Sequence, residues 1–208
     1  MGNELSKPPP LIEWGVAARP LEGEVESGDL YVVKPFPKGV LVAAVDGLGH
    51  GPEAAAAARS AVAILKDYAH EPVISLLRRC HERLIRTRGA VMSLASFNAL
   101  DSTMTWLGVG NVEGLLLRAD AAADPPRENV LLRSGVVGCQ LPALHAAILP
   151  VTRGDVLILA TDGIRSGFAE DVSLSDPPQR IAEHILARRA TGMDDALVVV
   201  ARYLGHEP

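Results

Sequence analysis

Short apolar runs separated by glycine, proline and aspartate dominate this chain. Runs rich in Val, Leu and Ile predict β-strands, and Gly, Pro and Asp mark nearly every junction between them. The predicted strands are 11–16, 30–33, 40–45, 91–100, 103–110, 112–118, 130–132, 144–148, 156–160 and 196–203. The polar, proline-containing stretch 119–128 is predicted to be a surface loop.

Three segments repeat their apolar residues at helical spacing instead. The predicted helices are 52–68, 71–87 and 177–189. The first follows a glycine-rich turn and has a proline at its first helical position, and each helix has one apolar face to bury. Many strands with a helix pair in the middle and one helix near the end favour an α+β fold. We expect antiparallel sheets packed together and flanked by helices, rather than alternating βαβ units.

Composition and charge restrict the class of protein. A chain of 208 residues that is 48% hydrophobic can bury a core, and we expect one domain over residues 1–208. A net charge of −5 argues against nucleic acid as a partner. The first ten residues are polar and proline-rich, and no apolar run approaches the roughly 18 to 20 residues that span a bilayer. We therefore expect a cytoplasmic protein without a membrane segment, and a monomer is favoured.

The two cysteines, Cys80 and Cys139, lie far apart in the sequence. Neither has a second cysteine nearby, which fits neither a disulfide framework nor a thiolate metal site. Because free cysteines are usually buried, both are expected to be reduced core residues.

Four short motifs place an aspartate beside a small residue or a sharp turn. They are Ser27-Gly28-Asp29, the segment Asp46-Gly47-Leu48-Gly49-His50-Gly51, Asp162-Gly163 and Asp194-Asp195. Two of them follow an apolar run, so strand ends would deliver both carboxylates to the rim of a sheet, where the glycines let backbone carbonyls approach. Carboxylate, carbonyl and water oxygens are the ligands that Mg²⁺ and Mn²⁺ prefer.

Any one of these motifs alone is more typical of a turn or a helix cap. Taken together they favour a metal site, because several carboxylates held close cannot all stay ionised without a cation. Two divalent ions about 3.5 to 4 Å apart, bridged by one carboxylate and sharing an activated water, would resolve the repulsion.

With these motifs in order, the chain resembles the type-2C (metal-dependent) protein phosphatases, and within them the bacterial SpoIIE-type branch. The match runs from Ser-Gly-Asp at 27–29 through Val-Asp-Gly-Leu-Gly-His-Gly at 45–51 and Ala-Thr-Asp-Gly-Ile at 160–164 to Asp-Asp-Ala at 194–196. The resemblance implies a protein serine/threonine phosphatase with two Mn²⁺ or Mg²⁺ ions. It also implies a β-sandwich of two antiparallel sheets with helices outside, in α/β/β/α layers.

The resemblance assigns roles to individual residues. Asp46 would bridge the two ions, and the carbonyl of Gly47 would bind one of them. Asp162 and Asp194 would complete the shell of the second ion, with Asp29 nearby, binding through water or holding a more labile ion. These residues, with Asp46, Asp162 and Asp194 as the catalytic set, are the predicted site.

Two further residues are placed outside the first ligand shell. Asp195 matches a position that is Asp or Asn in the family. His50 either orients a metal-bound water or is an ordinary turn residue, and the sequence leaves both open. For the arginine and the histidine acid that eukaryotic relatives place near the metals, the chain offers Arg19 as the one candidate arginine and no clear histidine.

The glycine-containing stretch 108–114 misses the G-x-G-x-x-G spacing of a nucleotide loop and is predicted to be a tight strand connection. In the resembled branch this stretch is a hairpin within a sheet.

The implied reaction is in-line attack of water on the phosphorus without a phosphoenzyme. A catalytic domain with these motifs is similar to the feedback phosphatases of the stressosome, which implies phosphorylated stressosome scaffold or STAS-domain proteins as substrates. Two alternatives stay open: a catalytically silent pseudophosphatase that binds a protein partner, and a metal-dependent hydrolase of small phosphate esters.

Overall fold

The computed structural model describes residues 10–205. The strands are β1 (Ile12–Arg19), β2 (Asp29–Phe36), β3 (Gly39–Gly47), β4 (Ala90–Asn98), β5 (Thr103–Val109), β6 (Glu113–Leu117), β7 (Arg127–Asn129), β8 (Leu132–Arg133), β9 (Ala147–Pro150), β10 (Val156–Ala160) and β11 (Ala196–Tyr203). The helices are α1 (Gly51–Asp67), α2 (Val73–Leu84) and α3 (Pro178–Arg189). The expectation of a cytoplasmic protein rests in part on residues 1–10, of which 1–9 lie outside the described residues.

The strands form two sheets that pack face to face. The first has the order β1-β11-β10-β6-β7, and the second has the order β2-β3-β4-β5-β8 with β9 beside β5. The pairings between named strands are antiparallel except for the short parallel pair β5–β8. Helices α1 and α2 cover the outer face of the second sheet, and α3 covers that of the first. The predicted α+β sandwich with α/β/β/α layers is confirmed.

Three buried apolar layers explain this architecture. One lies between α1, α2 and the second sheet, one lies between the sheets, and one lies between α3 and the first sheet. Strand β3 serves two of these layers at once: Leu41, Ala43 and Val45 face the helices, while Val42 and Ala44 face the other sheet. Because both faces of β3 are covered, it reads as a continuous apolar run rather than an alternating one.

Helix α2 is shorter than the sequence predicted. The apolar spacing predicted a helix over 71–87, but the helix runs from Val73 to Leu84. Pro72 takes the N-cap position, and a residue before proline is biased away from the helical region, so Glu71 cannot begin the helix.

The strand predicted at 130–132 is wrong in its bounds: only Leu132 lies in a strand, β8, and a separate strand, β7, ends at Asn129. Strand β7 pairs with β6 in the first sheet, and β8 pairs with β5 in the second. Residues 130–131 carry the chain across the sandwich from β7 to β8. The first two residues of β7 fall in the stretch predicted as loop, and β9 begins three residues later than predicted.

The connection at 108–114 also crosses the sandwich. It joins two consecutive strands, as predicted, but β5 belongs to the second sheet and β6 to the first. The expected hairpin within one sheet is therefore wrong. This crossing places residues 110–112 at the end of the sandwich where the aspartates lie.

The two cysteines differ in environment. Cys80 is fully buried in α2, as predicted, whereas Cys139 is exposed. The prediction that Cys139 belongs to the core is wrong, because it lies in a turn whose backbone N–H groups bond to the carbonyl of Val136. Over residues 10–205, the structure has no helix with the length and apolar character needed to cross a membrane.

Candidate active site

Four strand ends deliver the predicted carboxylates to one end of the sandwich. Asp29 is the first residue of β2, and Asp46 is the penultimate residue of β3. Asp162 follows β10 by two residues, and Asp194 precedes β11 by two. Since β2 and β3 belong to one sheet and β10 and β11 to the other, the carboxylates meet at the seam between the two sheets.

A cavity of about 420 Å³ opens at this seam. Three of the predicted residues, Asp46, Asp162 and Asp194, line it. Its other lining residues are Leu48, Gly49, Val91, Gly110, Asn111, Ser134 and Val136. Asp29 is buried and lies directly opposite Asp46 in the β2–β3 ladder. The predicted catalytic set therefore shares one water-accessible space, with a fourth carboxylate next to it.

Burial, and then mutual repulsion, raises the pKa of three of the carboxylates. Burial, and then the charge of Asp29, raises the pKa of Asp46 from its usual 3.8 to about 9. Burial raises the pKa of Asp29 to about 7, against the opposing hydrogen bond from Thr161. The pKa of Asp162 is also raised, by partial burial and then by the charge of Asp194. Without a cation, this cluster cannot hold its full negative charge at neutral pH.

Neutral side chains hold two of these carboxylates in place. The Thr161 hydroxyl donates to Asp29 Oδ2 at 2.6 Å and itself accepts from the backbone N–H of Leu197 at 2.9 Å. The Asn111 Nδ2 group donates to Asp162 Oδ2 at 2.7 Å. The sequence motifs predicted no role for Thr161 or for Asn111. The available signal was a polar residue at the end of an apolar strand.

Asp195 has a different surrounding from Asp194. It is almost completely buried, and its two carboxylate oxygens accept 2.7 Å hydrogen bonds from the backbone N–H groups of Leu21 and Gly28. Asp195 thus fixes the loop that leads into Asp29, and it does so outside the cavity. Its own N–H donates to Asp194 Oδ1 at 2.8 Å, which orients that neighbouring carboxylate.

Gly47 lies where the start of α1 approaches the end of β3. A Cβ atom at this position would come within 2.1 Å of the carbonyl oxygen of Ala54, so no larger residue fits. The Gly47 N–H donates to the carbonyl of Gly28 at 3.0 Å, which ties the turn after β3 to the turn before β2.

The remaining two predicted residues, His50 and Arg19, are not among the residues that line the cavity. His50 is the N-cap residue of α1; its ring is exposed, and Nδ1 lies 2.7 Å from Glu24 Oε1. Arg19 ends β1 opposite Ala196 and is exposed. The role of each stays a prediction.

The donor set suits a hard divalent cation that keeps most of its water. The oxygens are those of the carboxylates and of the backbone carbonyl of Gly47, the residue that follows Asp46. Such oxygens fit Mg²⁺ or Mn²⁺ rather than a thiolate-binding metal. Among the described residues, no three His, Cys, Asp or Glu side chains converge as a closed ligand shell would require. Mg²⁺ does not need such a shell, because it is commonly bound by one or two carboxylates and completes its octahedron with water.

Comparison with known proteins identifies the family of this chain. The family model described as "Stage II sporulation protein E (SpoIIE)" matches residues 37–204. Phosphoserine phosphatase RsbX of Bacillus subtilis (strain 168) is 28% identical over 143 residues, which are 69% of this chain and 70% of RsbX.

Two solved structures have a similar fold. A chain from a structure described as "The bacterial stressosome: a modular system that has been adapted to control secondary messenger signaling" has a TM-score of 0.83 and 30% identity, covering 92% of this chain and 99% of its own. RsbX in complex with magnesium has a TM-score of 0.81 and 23% identity, covering 92% and 95%.

The fold is that of the PP2C phosphatases. With the SpoIIE family model and a phosphoserine phosphatase among its relatives, this chain is in the class of PP2C-type protein serine/threonine phosphatases. Within that class, this chain belongs to the SpoIIE family.

Proposed function

We propose that this chain hydrolyses phosphoserine or phosphothreonine on protein regulators of a bacterial stress-response or sigma-factor pathway, with stressosome scaffold or STAS-domain proteins as the substrate class. One observation carries the enzymatic part of the proposal. Carboxylates from the ends of four strands share one end of the sandwich, and the pKa of each of three of them, Asp29, Asp46 and Asp162, is raised. A cluster of this kind costs folding free energy and is retained where a cation uses it.

We propose two Mg²⁺ or Mn²⁺ ions, held by Asp46, the carbonyl of Gly47, Asp162 and Asp194, with Asp29 close by. Bound there, the cations would neutralise the phosphoryl oxygens and activate a water molecule. The chain's own residues supply the orientation: Asn111 fixes Asp162, the N–H of Asp195 fixes Asp194, and Thr161 fixes Asp29.

The substrate class is supported by the relatives. RsbX is a phosphoserine phosphatase. A second relative, matched over 99% of its own length at 30% identity, comes from a structure of the bacterial stressosome. We propose that this chain acts on the same chemical class, a phosphorylated serine or threonine carried on a folded protein.

The test is hydrolysis of p-nitrophenyl phosphate by the purified protein, titrated with Mg²⁺ and with Mn²⁺. Activity should require metal and should vanish in Asp46→Asn, while the matched control Asp67→Asn, at the exposed end of α1, should keep wild-type activity. Failure to hydrolyse the ester in either metal would contradict the phosphatase and favour a protein-binding pseudophosphatase.

The substrate class needs a separate test. A phosphorylated STAS-domain protein and an unrelated phosphoprotein are offered at equal concentration, and phosphate release is followed. Faster release from the STAS-domain protein is expected. Cleavage of the unrelated phosphoprotein alone would reject the substrate class and leave the activity itself intact.

A further inference from the structure

The cavity is strongly acidic, yet its expected substrate is a phosphate monoester dianion. No Lys or Arg occurs among the described residues that line it, and three of those residues are aspartates. Cations bound by the aspartates would offset part of this charge. A side-chain cation at the rim would still be needed to attract the phosphoryl group and to orient it before reaction.

Arg88, in the turn between α2 and β4, lies beside Gly49, one of the residues that line the cavity. Its Nη1 atom lies 2.8 Å from the position that a Cβ atom of Gly49 would occupy, and Gly49 lines the cavity. The guanidinium group therefore rests directly on the glycine-rich turn that follows Asp46. A larger residue at position 49 would displace it and would be strained at the observed φ of +85°.

Two contacts fix Arg88 in this position. Glu53, in the first turn of α1, accepts a hydrogen bond of 2.5 Å from Arg88 Nε. The carbonyl of the next residue, Gly89, accepts from the N–H of Leu48 at 3.1 Å, which attaches this segment to the Asp46 turn. The two terminal nitrogens of Arg88 have no hydrogen-bond partner among residues 10–205.

Stability does not explain this ion pair. The side chains of Arg88 and Glu53 are 47% and 72% exposed, and exposed pairs contribute little to folding. The pair does, however, pre-orient a guanidinium group. With Nε held by a carboxylate, the two terminal nitrogens remain available, and a planar fork of donors matches the oxygens of a phosphoryl group.

We propose that Arg88 binds the phosphoryl group of the substrate at the mouth of the cavity, and that Glu53 is its positioning residue. The inference rests on the proposed phosphatase function. It adds a substrate contact from a part of the chain that carries none of the aspartate motifs, since Arg88 lies between the motif ending at Gly51 and the one beginning at Asp162.

Steady-state hydrolysis of p-nitrophenyl phosphate and of a phosphoserine peptide, with inhibition by inorganic phosphate, tests the assignment. For Arg88→Ala we expect kcat/KM to fall about tenfold on both substrates, which corresponds to about 1.4 kcal/mol, and the inhibition constant for phosphate to rise by a similar factor. Arg88→Lys should recover part of the loss because it keeps the charge without the fork. Arg86→Ala, two residues away and also exposed, is the matched control and should match the wild type.

Glu53 is tested through Arg88. Glu53→Ala should lower kcat/KM by about threefold, and the double variant Glu53→Ala/Arg88→Ala should be no worse than Arg88→Ala, because a positioning residue has no effect once its target is gone. The Mg²⁺ concentration for half-maximal activity and the unfolding temperature should stay unchanged in Arg88→Ala; a shift in either would overturn the assignment and show that Arg88 supports the metal turn instead.

Several other results would overturn the inference. Unchanged kinetics and phosphate inhibition in Arg88→Ala would remove Arg88 from the substrate site. A loss confined to the phosphopeptide would show that Arg88 contacts the polypeptide rather than the phosphoryl group. Absence of metal-dependent hydrolysis in the wild type would instead overturn the proposed function, and this inference with it; the two failures are therefore distinct.

Discussion

Replacing Asp46 with asparagine is expected to stabilise the metal-free protein. In the folded chain, burial and then the charge of Asp29 raise the pKa of Asp46 from 3.8 to about 9. At pH 7 the folded state must therefore hold a proton that the unfolded state releases. Over the roughly three units between 3.8 and pH 7, at about 1.4 kcal/mol per unit, the upper bound of this cost is about 4 kcal/mol. Asparagine has a similar shape and no charge, so it avoids the cost.

The sign of the pH dependence follows from the direction of the shift. Below about pH 4, Asp46 is protonated in both states and its stabilising contribution is fully present. As the pH rises from about 4 towards 9, the unfolded state loses its proton while the folded state keeps it, so the free energy of unfolding falls. The advantage of Asp46→Asn should therefore be small at pH 5 and large at pH 8.

Thermal unfolding followed by circular dichroism in EDTA measures the effect. For a domain of this size, 1 kcal/mol corresponds to about 2 to 4 °C in Tm. We expect Asp46→Asn to exceed the wild type by several degrees at pH 8, with Asp67→Asn unchanged. An Asp46→Asn variant that melts at or below the wild-type temperature at pH 8, or an advantage that does not shrink at pH 5, would refute the reasoning.

Adding Mg²⁺ should reverse the order. A ligand that binds only the folded state raises stability in proportion to the logarithm of its concentration above Kd. The wild type should gain Tm with Mg²⁺, and Asp46→Asn should gain little. Equal gains in both proteins would place the stabilising metal somewhere other than Asp46.

Three further substitutions or reagents test other contacts. Asp195→Asn should lower the free energy of unfolding by about 2 to 4 kcal/mol, because one buried N–H loses a charged acceptor; urea titration measures this, and an unchanged midpoint would contradict it. Asn111→Ala should raise the Mg²⁺ concentration for half-maximal activity several-fold by releasing Asp162, with little change in Tm; an unchanged metal titration would count against that contact. Iodoacetamide should modify Cys139 in the native protein but not Cys80, whose burial raises its thiol pKa to about 12; mass spectrometry locates the label, and modification at both sites would show that α2 opens.

Local pattern was sufficient for the long buried strands and for the aspartates at their ends, but not for the short strands β7 to β9. The run from Val40 to Val45 followed by Asp-Gly predicted both a buried strand and a carboxylate at its rim, because strand length and turn chemistry are properties of neighbouring residues. The same reasoning placed Asp162 just after β10. The ordered motifs then indicated the family, which its matching model confirms.

Contacts between distant segments were not predictable in the same way. Asn111 and Asp162 are 51 positions apart, and they meet because the chain crosses from one sheet to the other after β5. Arg88 reaches Gly49 for a similar reason, since backbone pairing attaches residue 89 to residue 48. Periodicity shows which face of an element is apolar, but it does not specify which other segment lies across from it.

Asp194 and Asp195 show the difference between what local sequence predicts and what tertiary contacts determine. The sequence by itself determined that Asp194 and Asp195 lie at the start of a strand in an acidic cluster, because that depends on residue type and local spacing. Only the tertiary structure decided that Asp194 lines the cavity while Asp195 binds the backbone of Leu21 and Gly28. The physical reason is that each carboxylate is directed by the groups around it, and those groups are brought there by the pairing of β11 with β1 and by the packing of the two sheets.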